Sequence, residues 1–211
     1  MRSCIFEGSE LLKEIYTIGY SRFAVDDFIG VLKNYNVTCL VDVRSLPKST
    51  HFKDFNKEHI SRILKLNNIL YRNYDREFGA RQTNEKFYTN GVLDFDKFSL
   101  SEQFLDGVRK IEAGMELGYT FALMCAEKRP ENCHRCILVA RKFHQLGYDV
   151  RNIIDNGKFI GQNEVEKILL DKYFPNRNQL SLFGEPSQNE MINQCYSKKN
   201  LEIGYRMEEG N

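Results

Sequence analysis

The chain has almost no excess of charge: thirty Lys and Arg against twenty-nine Asp and Glu leave a formal net charge of +1 over 211 residues. That excludes a general electrostatic pull towards nucleic acid, so any such binding has to come from a local patch. Long apolar runs are missing as well. No stretch reaches the ~18–20 residues that cross a bilayer, and the first residues lack the apolar core of a signal peptide. The expectation is a cytosolic protein that makes no membrane contact. Six cysteines at irregular spacing do not describe a disulfide framework. In a reducing compartment the alternatives are metal binding, thiol reactivity or inert burial, and burial is the expectation for Cys4 and Cys39.

What is present is enough for one core. A 42% hydrophobic and 12% aromatic composition over this length suits one domain with appendages. Extended apolar runs at Ile15 to Ile18, Val37 to Val43, Ile69 to Tyr74, Tyr119 to Met124 and Val150 to Ile154 alternate with segments of helical period. Those segments carry Phe28, Ile29 and Leu32; Ile60, Ile63 and Leu64; Phe104, Val108 and Ile111; Ile137 to Leu146; and Val165, Ile168 and Leu169. Asn163 with Glu166 reads as a capping box starting the last of these. Strands separated by helices predict an α/β fold, a mainly parallel sheet of about five strands with helices on both faces. The domain is expected over 1–173, with a polar tail from 174 to 211. The interval from Asp75 to Ser99 has no clear period and is expected to be a functional loop.

In open parallel sheets ligands bind beyond the carboxyl ends of the strands. After the first strand come Gly19, Tyr20, Ser21 and Arg22; after the second, Asp42, Arg44, Ser45, Pro47, Lys48 and Ser49; after the third, Tyr74, Asp75 and Arg76. The fourth is followed by Cys125, Glu127 and the triplet Cys133-His134-Arg135. Arg, Lys, Ser, Tyr and helix-start amides are the donors that suit a phosphate or carboxylate. Blander readings stand beside this: Asp42 and Arg44 can simply pair with each other, and His134 can cap a helix.

The cysteine cluster has three chemical readings. Cys125 leaves a strand and faces a helix amino terminus with His134 and Arg135 near, which favours a thiolate nucleophile with Glu127 as acid or base. Alternatively Cys125, Cys133, His134 and Cys136 ligate zinc, although adjacent Cys133 and His134 are awkward chelators and paired C-x-x-C knuckles are absent. Otherwise no cofactor is expected. In the third reading Cys133 and Cys136 form a redox pair of thioredoxin type.

These residues resemble a family. Thr17-Ile18-Gly19-Tyr20-Ser21, Val41-Asp42-Val43-Arg44 followed by Pro47 and Ser49, Tyr71, and Cys125-x-Glu127 followed by Cys133-His134-Arg135 are similar to the domain of unknown function 488 family over about residues 15–155. The resemblance implies an α/β domain that gathers them in one site, without supplying a reaction. Phe78-Gly79-Ala80 departs from the Leu-Gly-Gly turn of that family, and Cys136 is not part of its motif. A looser likeness is to rhodanese-type domains. The span from Cys125 to His134 is longer than the anion-cradling loop of that fold and has no glycine, so sulfur transfer or phosphoester chemistry rests on analogy.

The tail carries Gln179-Leu180-Ser181-Leu182-Phe183, which matches the pentapeptide that bacterial proteins use to bind the DNA sliding clamp. A match at all five positions arises by chance in roughly one in a few thousand chains of this length, so it is weighed as a partner site. Its Leu-Leu-Phe anchor fits a pocket on a partner, or folds back on this protein's own core. Together with Tyr20, Tyr71, Tyr74, Phe78 and Tyr88 as stacking surfaces, the tail points to a DNA or nucleotide substrate, Cys125, Glu127 and His134 performing the chemistry and Arg44 and Arg135 holding phosphate. The competing class is a module that only binds a nucleotide or DNA.

Overall fold

The computed structural model describes residues 13–177 and 186–207. Strands β1 (Glu14–Gly19), β2 (Cys39–Asp42) and β3 (Leu70–Asn73) are followed by a small hairpin, β4 (Tyr88–Thr89) and β5 (Val92–Leu93), and then by β6 (Phe121–Cys125), β7 (Asp149–Ile153) and β8 (Phe159–Gly161). The main sheet has the order β3-β2-β6-β1-β7-β8. All pairings are parallel except β7 with β8. Parallel neighbours need crossovers, and helices supply them on both faces.

Helices α1 (Val25–Asn34) and α2 (Lys57–Leu66) cover one face. The other carries α3 (Asp75–Phe78), α4 (Phe95–Ser99), α5 (Glu102–Glu116), a π-helical turn over Arg135–Ala140 that runs into α6 (Arg141–Gln145), then α7 (Gln162–Tyr173) and α8 (Gln188–Ile203). The alternation of side chains along a strand sorts them between the two cores. In β6, Ala122 and Met124 join Phe28, Leu32, Ile60 and Leu64, whereas Phe121, Leu123 and Cys125 join Phe104, Ile111, Val139 and Phe143. Because the β6 side chains are buried on both faces, the strand reads as a continuous apolar run.

Several expectations need revision. The five parallel strands are present, but the antiparallel edge strand β8 and the β4-β5 hairpin were not foreseen; both are too short to show a period. Gly161 stands in the cap position before α7 and makes no side-chain cap, and Glu166 instead accepts from the Tyr196 hydroxyl at 3.1 Å. The true capping box is Ser187 with Glu190, at the start of α8. That helix buries Cys195, Tyr196 and Lys199, so residues 188–203 are part of the fold and not a polar extension. After it the chain returns to the hairpin, where Leu93 N–H donates to the Tyr205 carbonyl at 2.9 Å. Cys4 and the pentapeptide Gln179–Phe183 lie outside the described residues. Among those residues no helix is long and apolar enough to cross a membrane.

Candidate functional site

The register sets three strand ends side by side. Gly19 is level with Cys125, and Asp42 with Met124, so the exits of β1, β6 and β2 form one edge. A Cβ on residue 19 would lie 2.0 Å from the Glu127 carbonyl oxygen. Only glycine allows the segment after β6 to fold down onto β1, where Ser21 N–H also donates to the Ala126 carbonyl at 3.1 Å. The same Glu127 carbonyl accepts from Arg135 Nη1. One backbone oxygen thus ties the β6 exit to the helix that follows.

Around this edge two constellations form. The first is closed. Asp42, fully buried, accepts from Arg44 Nε at 2.8 Å, from Arg44 Nη2 at 2.5 Å and from the Tyr71 hydroxyl at 2.7 Å. Arg44 also donates to the Tyr20 hydroxyl at 3.1 Å and to the Phe55 carbonyl at 2.8 Å. Burial works against the guanidinium charge, and the hydrogen bonds and charge of Asp42 more than offset it, raising the Arg44 pKa. Burial, then Asp42, likewise pushes the Tyr71 hydroxyl up. Tyr20 is stacked on Phe55 at 4.4 Å and buried, and Phe78 is buried in the opposite core, so neither ring is a surface for a base. In the loop towards α2, Ser49 N–H donates to Asn56 Oδ1 at 2.6 Å, and the Pro47 carbonyl accepts from Lys57 N–H at 3.0 Å.

The second constellation brings two thiols and an imidazole together. His134 Nδ1 lies 3.8 Å from the Cys125 sulfur and 4.0 Å from that of Cys133, and its Nε2 is 2.9 Å from the Val43 carbonyl. The carbonyl accepts only, so Nε2 carries the proton and Nδ1 faces the sulfurs. Val43 lies between Asp42 and Arg44, which links the two constellations through one peptide. Burial opposes a thiolate on Cys133, but the Cys125 hydrogen bond, the Arg135 charge and His134 together hold this thiol well below its ordinary range. The hydrogen bond to Cys133, with burial, pushes Cys125 well above it. Burial disfavours a charged His134, and Cys133 overcomes this and raises its pKa. These opposite shifts favour the charge on Cys133 over Cys125, the sulfur to which the sequence pointed.

Arg135 is fully buried. Its Nε donates to Thr17 Oγ1 at 3.3 Å, its Nη2 has no partner, and it is in no ion pair among the described residues. Thr17 continues to Asn152 Oδ1 at 2.9 Å, and Asn152 to Gln162 Oε1 at 3.0 Å. The sequence reading missed this chain, although its signal was there: Thr17 and Asn152 are polar interruptions in apolar strands, and they are paired in register.

Two sequence expectations change with this geometry. Cys136 faces Gln162, its sulfur 3.4 Å from Oε1, and burial pushes its thiol up to about 12. It lies outside the group of ligand atoms that Cys125, Cys133 and His134 form, and its sulfur is engaged by Gln162. The ligand atoms that do converge are those of Cys125, Cys133 and His134, all within 4.8 Å of one another. These three are the group that could hold a metal ion among the described residues. Glu127 is exposed, and its carboxylate accepts from Arg129 N–H at 3.1 Å, closing a turn.

A family model described as "Domain of unknown function DUF488" matches residues 24–141, more than half of the chain. Comparison with curated proteins and with solved structures gives no match.

Proposed function

The chain belongs to the DUF488 family, and from that premise we propose that it is a thiolate-dependent enzyme acting on a phosphate-bearing nucleotide or DNA. The convergence of Cys125, Cys133 and His134 on one strand edge carries the reading. Cys133 is the nucleophile. Cys125 donates its S–H to that thiolate, and His134, oriented by the Val43 carbonyl, exchanges a proton with the leaving group. Arg135 acts through its charge beneath the sulfurs, since it is buried too deeply to grip a substrate directly. Glu127 orders the turn through Arg129 and, being exposed, is free to meet substrate. Arg44, held by Asp42, anchors the neighbouring loop through the Phe55 carbonyl.

The nucleic-acid class is supported by the pentapeptide Gln179–Phe183, which would tether the domain to the sliding clamp where DNA is copied or repaired. Thiol reactivity is the first test. Iodoacetamide at pH 6 should label Cys133 at a rate a normal thiol of pKa ~8.5 does not reach, and Cys133→Ser should abolish that labelling while Cys136→Ser leaves it unchanged. An unreactive cluster carrying one equivalent of zinc would replace this reading with a metal centre of Cys125, Cys133 and His134. Labelling without turnover across a panel of nucleotides, nicked DNA and single-stranded DNA would leave a binding module. For the tether, clamp binding that vanishes on changing Leu182 and Phe183 to alanine is expected, and no binding by the intact protein would remove it.

A further inference from the structure

We infer that Cys125 is a resolving thiol: a hydroperoxide-class oxidant converts Cys133 to a sulfenic acid, which Cys125 closes into a reversible Cys125–Cys133 disulfide. The inference takes over the role proposed for Cys133, adds a second chemistry to the same pair, and stands on where the two sulfurs lie. Its warrant is geometric. Cys125 ends β6 and Cys133 precedes the π-helical turn, yet the two sulfurs and His134 Nδ1 lie within 4.8 Å of one another. Forming an S–S bond of about 2.05 Å needs rotation of these two side chains towards each other. Cys136, the partner that sequence spacing nominates, is turned into the Asn152–Gln162 network and is occupied by Gln162. Cys39 and Cys195 are buried on β2 and α8.

The atoms balance in two steps. The Cys133 thiolate attacks the terminal peroxide oxygen, the O–O bond breaks, and the alkoxide or hydroxide takes up a proton and leaves as alcohol or water. The sulfur, oxidised by two electrons, carries the OH group. The Cys125 sulfur then attacks that of Cys133, the S–S bond forms, the S–O bond breaks, and the departing hydroxide leaves as water with the Cys125 proton. Two thiols and one hydroperoxide become one disulfide, one alcohol and one water. A small dithiol reductant reverses the oxidation. The pairing has a chemical consequence: capture by Cys125 stops Cys133 from proceeding to sulfinic acid, which thiols do not reduce.

The test is peptide mapping of the full chain after brief treatment with stoichiometric hydrogen peroxide. The expected product is a Cys125–Cys133 cross-link with the loss of two hydrogen atoms, restored by dithiothreitol, and present equally in Cys136→Ser. In Cys125→Ser the expected product is a dimedone-reactive sulfenic acid on Cys133. Wild-type protein that labels rapidly with iodoacetamide but gives sulfinic acid on Cys133 without a cross-link would overturn the resolving role and leave the thiolate reading standing. A Cys133–Cys136 cross-link would overturn it as well. Protein inert to both reagents would sink the thiolate reading itself, and this inference with it.

Discussion

Arg44 and Arg135 are both buried at the same sheet edge, and their surroundings differ in one respect. Arg44 has a carboxylate, a phenol and a carbonyl arranged around it. Arg135 has a hydroxyl, a carbonyl and two sulfurs nearby, with one nitrogen unpartnered. A guanidinium with a full set of acceptors organises a loop. One left short of negative charge stabilises whatever anion forms beside it, the Cys133 thiolate in the proposed function. The contrast separates scaffold from chemistry within a site whose residues look equivalent in sequence.

The largest effect should come from breaking the closed pair. Asp42→Ala leaves Arg44 buried without its counter-ion, so a loss of about 3–5 kcal/mol in urea unfolding is expected. Gly19→Ala forces the Glu127 carbonyl away from β1. A loss of about 1–3 kcal/mol should accompany a more than tenfold fall in low-pH labelling of Cys133, because Arg135 shares that carbonyl. Arg135→Met removes hydrogen bonds but strands no carboxylate, so about 1–2 kcal/mol is expected in unfolding. Labelling at pH 6 should fall about tenfold, one pKa unit corresponding to about 1.4 kcal/mol. Equal unfolding costs for Arg135→Met and Arg44→Met would erase the distinction drawn between the two arginines.

The smallest effect lies away from both. Hydrogen bonds from Lys172, then Tyr173, hold Glu202 on α8 down at about 2. A depressed carboxyl stabilises the fold above its unfolded pKa of ~4.3, and that contribution is lost as pH falls through the folded value. The protection of the α8 amides, taken relative to the intrinsic exchange rate at each pH, should therefore fall between about pH 4 and 2, before that of the β6 amides. Simultaneous loss of protection in both would show that α8 has no separate stability.

The apolar runs and the Cys125 to Arg135 line made the parallel strands and the reactive loop legible, because a buried parallel strand and a polar strand exit both leave marks in one sequence. What was illegible depended on distant partners. Nothing local says that Cys133, eight residues after the end of β6, meets Cys125, or that Thr17 and Asn152 carry a chain from Arg135 to Gln162. Helix α8 was readable: Met191, Ile192, Cys195, Tyr196, Lys199 and Ile203 make a helical stripe behind a Ser187-Glu190 capping box. The polar composition of the tail hid it, since Lys199 buries its stem and bonds Asn132 Oδ1 at 2.7 Å.

The turn over Arg135–Ala140 is π-helical, so it winds one residue more into a turn than the α-helix into which it runs. Taking out a single residue inside it would let the stretch relax to ordinary α winding while its two ends still face as they do. Taking one from α6 instead would rotate everything ahead of it by about 100° against the core. A change of length is thus absorbed where the loop carrying Cys133 and His134 enters the helix, and the meeting of imidazole, guanidinium and sulfur survives there what it would not survive one turn later.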